Sequence, residues 1–309
     1  MTNVKRLGEI GKDSTKNPFP TDWKLFINNI LVNTFFDQPN IVRQLNDVVI
    51  PIAYDGRTEA EIPSLDDIDE AVVGMQPGIN DVEEEGDLIN VKTPQIFITA
   101  RKSNDNWKQL FAGRNRKDLI MGRMGVIIKN REDLYVLQGK TGLTSGLVAD
   151  STDLGDPTGV WGASTNGRLT NAIADVRGIV NTLDAAGVPN TMPIDLGLTT
   201  YAYTLLATSY LDYEPSKSNL TVVQDLLRGG KIVSSNNLSA TVTTALNTMF
   251  ASVRAPASDP GWALLASGLD FDEEKVMWGR RVGIRQKVGY KVLNSALVYY
   301  MDEISTATT

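Results

Sequence analysis

The sequence predicts an α+β fold, built as one large body or two modest domains, in which helices and strands interleave without an internal repeat. Three observations carry this. Apolar residues recur at helical spacing in two long segments, near 114–137 and 173–187. Short apolar runs bounded by Gly, Pro, Asn or Asp recur from Val48 to Met301. Hydrophobic residues make up 42% of the 309 and charged residues 22%, so a substantial core can close.

Residues 1–20 hold several Lys and Arg with Gly and Pro and no apolar period, which predicts an extended arm. Thr21 is a candidate N-cap for a helix with Trp23, Phe26, Ile27, Ile30, Leu31 and Phe35 on one stripe, ended by Pro39. Val48 to Ala53 reads as a strand. A long irregular stretch from Arg57 to Lys92 leads to a returning strand in KTPQIFITARK. Arg114 to Leu137 is predicted to be the longest helix, with Ile120, Met124, Ile127, Arg131 and Leu134 on its buried stripe. Residues 139–167 read as loop. Ile173, Val176, Val180 and Leu183 then mark a second helix, closed by Gly187 with Pro189 beyond it. Beyond Pro193 come a strand (PIDLGL), two helices (TTYAYTLLATSY and NLTVVQDLLRGG), two strands (KIVSS and GWALLASG) and two or three more from Val276 to Met301.

Composition narrows the chemistry. There is no Cys and no His, which removes thiol nucleophiles, disulfides, thiolate or imidazole metal sites and every triad with a His base. The net charge of −7 argues against a protein that grips nucleic acid over its whole surface. The polar N-terminus predicts no signal peptide, and no stretch reaches the roughly 18–20 apolar residues of a membrane span.

Charge is arranged in blocks. Between Thr58 and Val91 there are 11 Asp and Glu and no Lys or Arg; from Arg101 to Arg131 there are nine Lys and Arg against Asp105 and Asp118. Both blocks can be solvated faces. They can also be complementary patches on neighbouring copies, with Glu83, Glu84, Glu85 and Asp87 of the acidic excursion meeting Arg114, Arg116 and Lys117 of the next copy.

Other signals have little chemistry behind them. Gly139-Lys140-Thr141 has the end of a phosphate-binding loop, but Leu134 stands where its first Gly is needed and a helix precedes it. The clusters Asp66–Glu70 and Asp81–Asp87 lack the alternating spacing of a calcium loop. Asn219 and Asn237 fit glycosylation acceptors by chance. Trp161, Trp262 and Trp278 are expected to be core or interface anchors. No catalytic, cofactor or metal residue is assigned.

The order of elements, with REDLYVLQGKTGLTSGL (Arg131–Leu147), MPIDLGLTTYAYTLLATS (Met192–Ser209) and GWALLASGLDFDEEKVMWGRRVGIRQK (Gly261–Lys287), resembles the Hong-Kong-97-type capsid proteins. That family comprises tailed-virus major capsid proteins and encapsulins. The resemblance implies an arm over 1–22, an N-terminal helix of the peripheral domain over 23–46 and an extended loop over 47–103. It implies a peripheral domain with a long spine helix over 104–191, an axial domain over 192–275 and the peripheral domain's C-terminal strands over 276–309. It implies a non-enzymatic subunit that assembles with copies of itself as pentamers and hexamers into an icosahedral virion capsid, in the host cytoplasm. Double-stranded DNA would be enclosed without specific binding, with portal, scaffold or cement proteins as further partners and no membrane. An encapsulin shell around a cargo enzyme is the alternative, and a soluble non-shell protein with a carboxylate-based site is the second. Some members lock the shell with a Lys–Asn bond from a Lys near the loop tip. This loop has no Lys between Arg57 and Lys92, so no such bond is expected there.

Overall fold

A computed structural model describes residues 40–45, 48–53, 58–63, 88–103, 110–111, 114–161, 170–211, 214–235, 237–238, 246–255, 260–277 and 279–306. The first half contains helix α1 (Ile41–Leu45), strands β1 (Val49–Pro51), β2 (Glu59–Pro63), β3 (Leu88–Lys92), β4 (Gln95–Ser103), β5 (Leu110–Phe111) and β6 (Arg114–Asn115), and helix α2 (Arg116–Gln138). There follow α3 (Leu147–Asp150), β7 (Thr152–Asp153), α4 (Thr170–Ala185), β8 (Ile194–Leu198), α5 (Thr200–Thr208), β9 (Tyr210–Leu211), β10 (Glu214–Ser218) and α6 (Asn219–Leu226). The chain ends in β11 (Ile232–Ser234), β12 (Leu246–Val253), β13 (Trp262–Ala266), β14 (Asp270–Val276), β15 (Gly279–Val292) and β16 (Val298–Thr306). The expected helix over Trp23–Phe35 and the arm before it lie outside the described residues.

Two compact units share the chain. The first takes residues 1–40, 95–132 and 267–287; the second takes 41–94, 133–266 and 288–309. In the first, β15 is the middle strand of an antiparallel sheet. It pairs with β14 from Asp270↔Arg285 to Val276↔Gly279, and with β4 from Gln95↔Lys287 to Ser103↔Gly279. Strand alternation sends Phe271, Val282 and Ile284 to one face, with Ile98 and Ala100 beside them. These pack against Met121, Met124 and Ile128 of α2. Each such side chain contributes about 1.5–3 kcal/mol when fully buried.

The buried stripe of α2 is therefore rotated by one residue from the predicted one. Met121, Met124 and Ile128 are buried, whereas Ile127 is 37% exposed and Arg131 is exposed. Charge caused the misreading. Lys129, Glu132 and Asp133 are all buried on this helix, so its buried face carries ions that an apolar pattern cannot register.

In the second unit a five-stranded sheet runs β11-β8-β12-β16-β7. Strands β11 and β8 are parallel, β8–β12 and β12–β16 antiparallel, and β16–β7 parallel. Every residue of β8 is buried, including Asp195, whose carboxylate accepts from the Lys231 N–H and the Arg254 guanidinium. Helix α1 packs on β8 and β11, and α6 packs on both α4 and α5. The Asp133 carboxylate accepts the N–H groups of Ile41 (3.3 Å) and Val42 (3.1 Å), so α1 is capped by a residue 91–92 positions away. Thr199 Oγ1 caps α5 and Ser218 Oγ caps α6. At the end of α4, Gly187 takes φ +79° and Val188 N–H donates to Leu183 O, the closure its Gly-then-Pro sequence predicts.

Beside this sheet, β1 runs parallel to β13, and β13 pairs with the last residues of β15. The hairpin β2–β3 is the described stem of the predicted excursion, in register from Glu59↔Lys92 to Pro63↔Leu88. Its apolar face (Ala60, Ile62, Ile89, Val91) packs with Ile50, Ile52, Leu265 and Leu293. Trp161 and Trp262 are core residues, 2% exposed, with their indole N–H groups donated to Asp175 (2.8 Å) and Ser252 (3.1 Å). Trp278 lies outside the described residues.

Among the strands that escaped the sequence reading are β12 and β14. LNTMFASV (β12) contains Asn, Thr and Ser, yet pairing on both sides buries Thr248 and Ser252 completely or nearly so. DFDEEKV (β14) read as an acidic stretch, but it is held by the ladder to β15 and by cross-strand ion pairs. Residues 139–167, read as loop, include α3 and β7.

Candidate functional site

Among the described residues of the first unit, only one face of its sheet is packed against a helix. Opposite the Phe271/Ile284/Ile98 face, three rows cross the strands in the order β14, β15, β4: Asp270–Arg285–Phe97, Asp272–Gly283–Thr99 and Glu274–Arg281–Arg101. Arg285 Nε lies 2.7 Å from Asp270 and an Arg281 guanidinium nitrogen 2.6 Å from Glu274. These pairs are about half exposed, so each contributes roughly 0–1 kcal/mol. Arg280 and Glu273 form a better-shielded pair on the covered face at 2.6 Å. Across the ladder from Asp272 stands Gly283, which offers no cation. Phe97 is 71% exposed on this open face, and Met277, in the turn between β14 and β15, is 79% exposed. The Arg101 guanidinium donates to the Met277 carbonyl at 3.4 Å. Nothing in a three-residue window marked Phe97 as exposed. Only its register opposite Arg285 places it on the uncovered side.

Of the residues singled out in the sequence, Arg114 lies in the short strand β6, and Arg116 and Lys117 are the first two residues of α2. Glu83, Glu84, Glu85 and Asp87 lie outside the described residues. The basic block as a whole is not one solvated face, because Lys129 is 3% exposed while Arg101, Lys102, Arg123 and Arg131 are exposed.

Charge is divided between parts of the chain more sharply than the local blocks suggest. Residues 95–132 and 267–287 carry 14 Lys and Arg against 7 Asp and Glu, whereas the rest carries 16 against 30. These two segments of the first unit are thus net +7 and the remainder of the protein net −14, which together give the −7 of the whole chain.

The GKTGLTSG segment closes on itself after α2. Lys140 and Thr144 form an isolated bridge, and the Lys140 N–H donates to Thr144 O at 3.0 Å, so this amide is engaged in the turn. Gly139 (φ +73°) and Gly146 (φ +104°) approach each other so closely that a Cβ on Gly139 would run into the Thr144 carbonyl, and one on Gly146 into the Gln138 backbone. Tyr290 fastens the loop: its hydroxyl accepts from Gly146 N–H (2.7 Å) and donates to Asp150 Oδ2 (2.8 Å). Burial first, and the Asp150 carboxylate second, push the Tyr290 hydroxyl far above the usual tyrosine range. Among the described residues no group of three or more Asp or Glu is gathered as a metal site would require.

No protein-family profile and no curated protein sequence matches the chain. Its backbone does match solved structures. A virus-like particle from Pyrococcus furiosus superposes with TM-score 0.57 at 12% identity, covering 89% of this chain and 97% of that one. The capsid of Myoviridae phage XM1 gives 0.60 at 13% identity, over 85% and 90%. The SrpI encapsulin of Synechococcus elongatus PCC 7942 gives 0.53 at 8% identity, over 87% and 89%.

Proposed function

Because the chain carries the Hong-Kong-97-type capsid fold, we propose that it is the major coat subunit of an icosahedral virus shell enclosing double-stranded DNA, and that it catalyses no reaction. The single observation that supports this most is the reciprocal coverage with the phage XM1 capsid, which takes in 85% of one chain and 90% of the other. The excess of acid supports the DNA-enclosing reading, since a wall that repels densely packed DNA does not trap it.

In this reading residues 47–103 form the extended loop, 104–191 and 276–309 the peripheral domain, and 192–275 the axial domain. The arm and excursion lie on neighbouring copies, where Glu83, Glu84, Glu85 and Asp87 meet Arg114, Arg116 and Lys117. Copies gather as pentamers and hexamers in the virion, assembled in the host cytoplasm, with portal, scaffold or cement proteins as further partners. A symmetric lattice multiplies such modest contacts into a stable container. A second reading, an encapsulin shell around a cargo enzyme, is favoured by the likeness to the SrpI encapsulin.

The chain expressed alone is expected to give closed shells or capsomer rings in negative-stain microscopy and sedimentation. A compact monomer across salt and concentration would overturn both shell readings. Contents of particles from the native source separate the two: nuclease-protected DNA for the coat, one abundant co-purifying enzyme for the compartment.

A further inference from the structure

We propose that Lys275, Arg280 and Lys102, which form one row across the β14–β15–β4 sheet, are a binding site for a phosphate group, as the free anion or as a phosphodiester of nucleic acid. The inference goes beyond the shell reading and does not depend on it, since it stands on strand register and charge within the first unit.

Lys275 stands directly opposite Arg280 on one ladder, and Arg280 directly opposite Lys102 on the other. Three cations thus occupy adjacent strands with no carboxylate among them, an arrangement that is destabilising in itself. Every other charged row that crosses all three strands contains an Asp or Glu, as Asp270–Arg285–Phe97 and Glu274–Arg281–Arg101 do. The next row on the same face offers one carboxylate, Glu273, beside uncharged Val282 and Ala100. Glu273 holds Arg280 at 2.6 Å, and the two side chains are 12% and 11% exposed. Lys275 and Lys102 are exposed and, among the described residues, have no carboxylate partner.

Strand alternation puts all three side chains on the face that packs against α2, one row beyond the apolar contacts of Val282 and Ala100. Neighbouring strands lie about 4.8 Å apart, so the two lysine backbones stand roughly 10 Å apart with Arg280 between them. Their flexible four-carbon stems can close on one anion from both sides. A guanidinium flanked by two ammonium groups suits phosphate, which carries up to about two charges and several strong acceptor oxygens, better than it suits a single carboxylate. A bound anion also relieves the repulsion along the row.

The test uses the full-length chain, a neutralised variant (Lys102→Gln with Lys275→Gln) and a charge-keeping one (Lys102→Arg with Lys275→Arg). Inorganic phosphate is titrated by calorimetry against chloride at equal ionic strength, and a labelled DNA duplex by fluorescence anisotropy at about 50 and 200 mM salt. For a free-phosphate site, phosphate affinity falls about tenfold or more in the Gln variant and stays within about threefold of wild type in the Arg variant. For a phosphodiester, the wild type loses about tenfold more duplex affinity between the two salts than the Gln variant does, the slope of two phosphate contacts. In both cases the Gln variant melts no lower than wild type when no phosphate is present, because two repulsive contacts are gone. If neither probe separates wild type from the Gln variant, the site is overturned. Poly-glutamate that binds the wild type where neither phosphate nor duplex does overturns the phosphate assignment in favour of a carboxylate partner.

Discussion

Tyr290 and Asp175 each do with one side chain what no local stretch of sequence announces. Asp175, 3% exposed on α4, accepts from Thr158 N–H and from the Trp161 indole, and so fixes the segment that returns from β7. Tyr290 holds the Gly139–Gly146 loop through Gly146 and Asp150. Its ionisation has a definite consequence. In the unfolded chain the hydroxyl titrates near the ordinary 10, but in the fold burial and Asp150 raise it. Stability is therefore full below about pH 10 and is lost as pH rises toward the folded value, because only the unfolded state gains from ionising. Tyr290→Phe cannot titrate. In urea denaturation at pH 8, 10 and 11.5 the wild type should lose more between the last two points than the variant does. Equal losses would mean that Tyr290 already ionises freely in the fold. A residual loss in the variant is expected, since burial also raises Tyr135, Tyr299 and Tyr300.

At the scale of elements, the phase of α2 is the sharpest difference between pattern and packing. Ile128→Ala should cost about 3 kcal/mol, the usual toll of a buried Ile truncation, while Ile127→Ala one residue away should cost under about 1 kcal/mol. The reverse order in thermal or chemical denaturation would restore the sequence-based stripe. Two glycines make a second contrast. Gly139→Ala, at φ +73° with the Thr144 carbonyl in the way, should destabilise by at least about 2 kcal/mol. Gly122→Ala, inside α2 with nothing within 4 Å of the added carbon, should stabilise by about 0.5–1 kcal/mol. In sequence both are simply glycines near one helix. Only the backbone angle and its neighbours tell a required glycine from a dispensable one.

For the whole molecule, the missing Lys in the excursion becomes a prediction about the particle. Assembled shells boiled in denaturant should run as a single band near the 33.7 kDa subunit, with no ladder of multiples. A ladder would show a covalent lock formed from some other lysine. The division of charge into a net +7 part and a net −14 remainder belongs to this scale too. It is invisible in a window of ten residues, because the segments 95–132 and 267–287 are separated in sequence by 134 residues, from 133 to 266. The folded chain brings the two segments into one unit through the β4–β15 ladder.

What the sequence determined by itself was the set of elements with local causes. Helices α2, α4, α5 and α6, strands β8, β11 and β13 and the closure at Gly187 follow from periodicity, capping residues and turn chemistry, which act over a few residues. The α+β class and the order of elements followed from these. The tertiary structure alone decided what depends on partners far along the chain. It buried Lys129, Glu132 and Asp133 on the inner side of α2, made strands of LNTMFASV and DFDEEKV by pairing them, and left Phe97 uncovered beside Arg285. The reason is physical: burial and pairing are properties of surfaces brought together, and a residue's neighbours in space are not encoded in its neighbours in sequence.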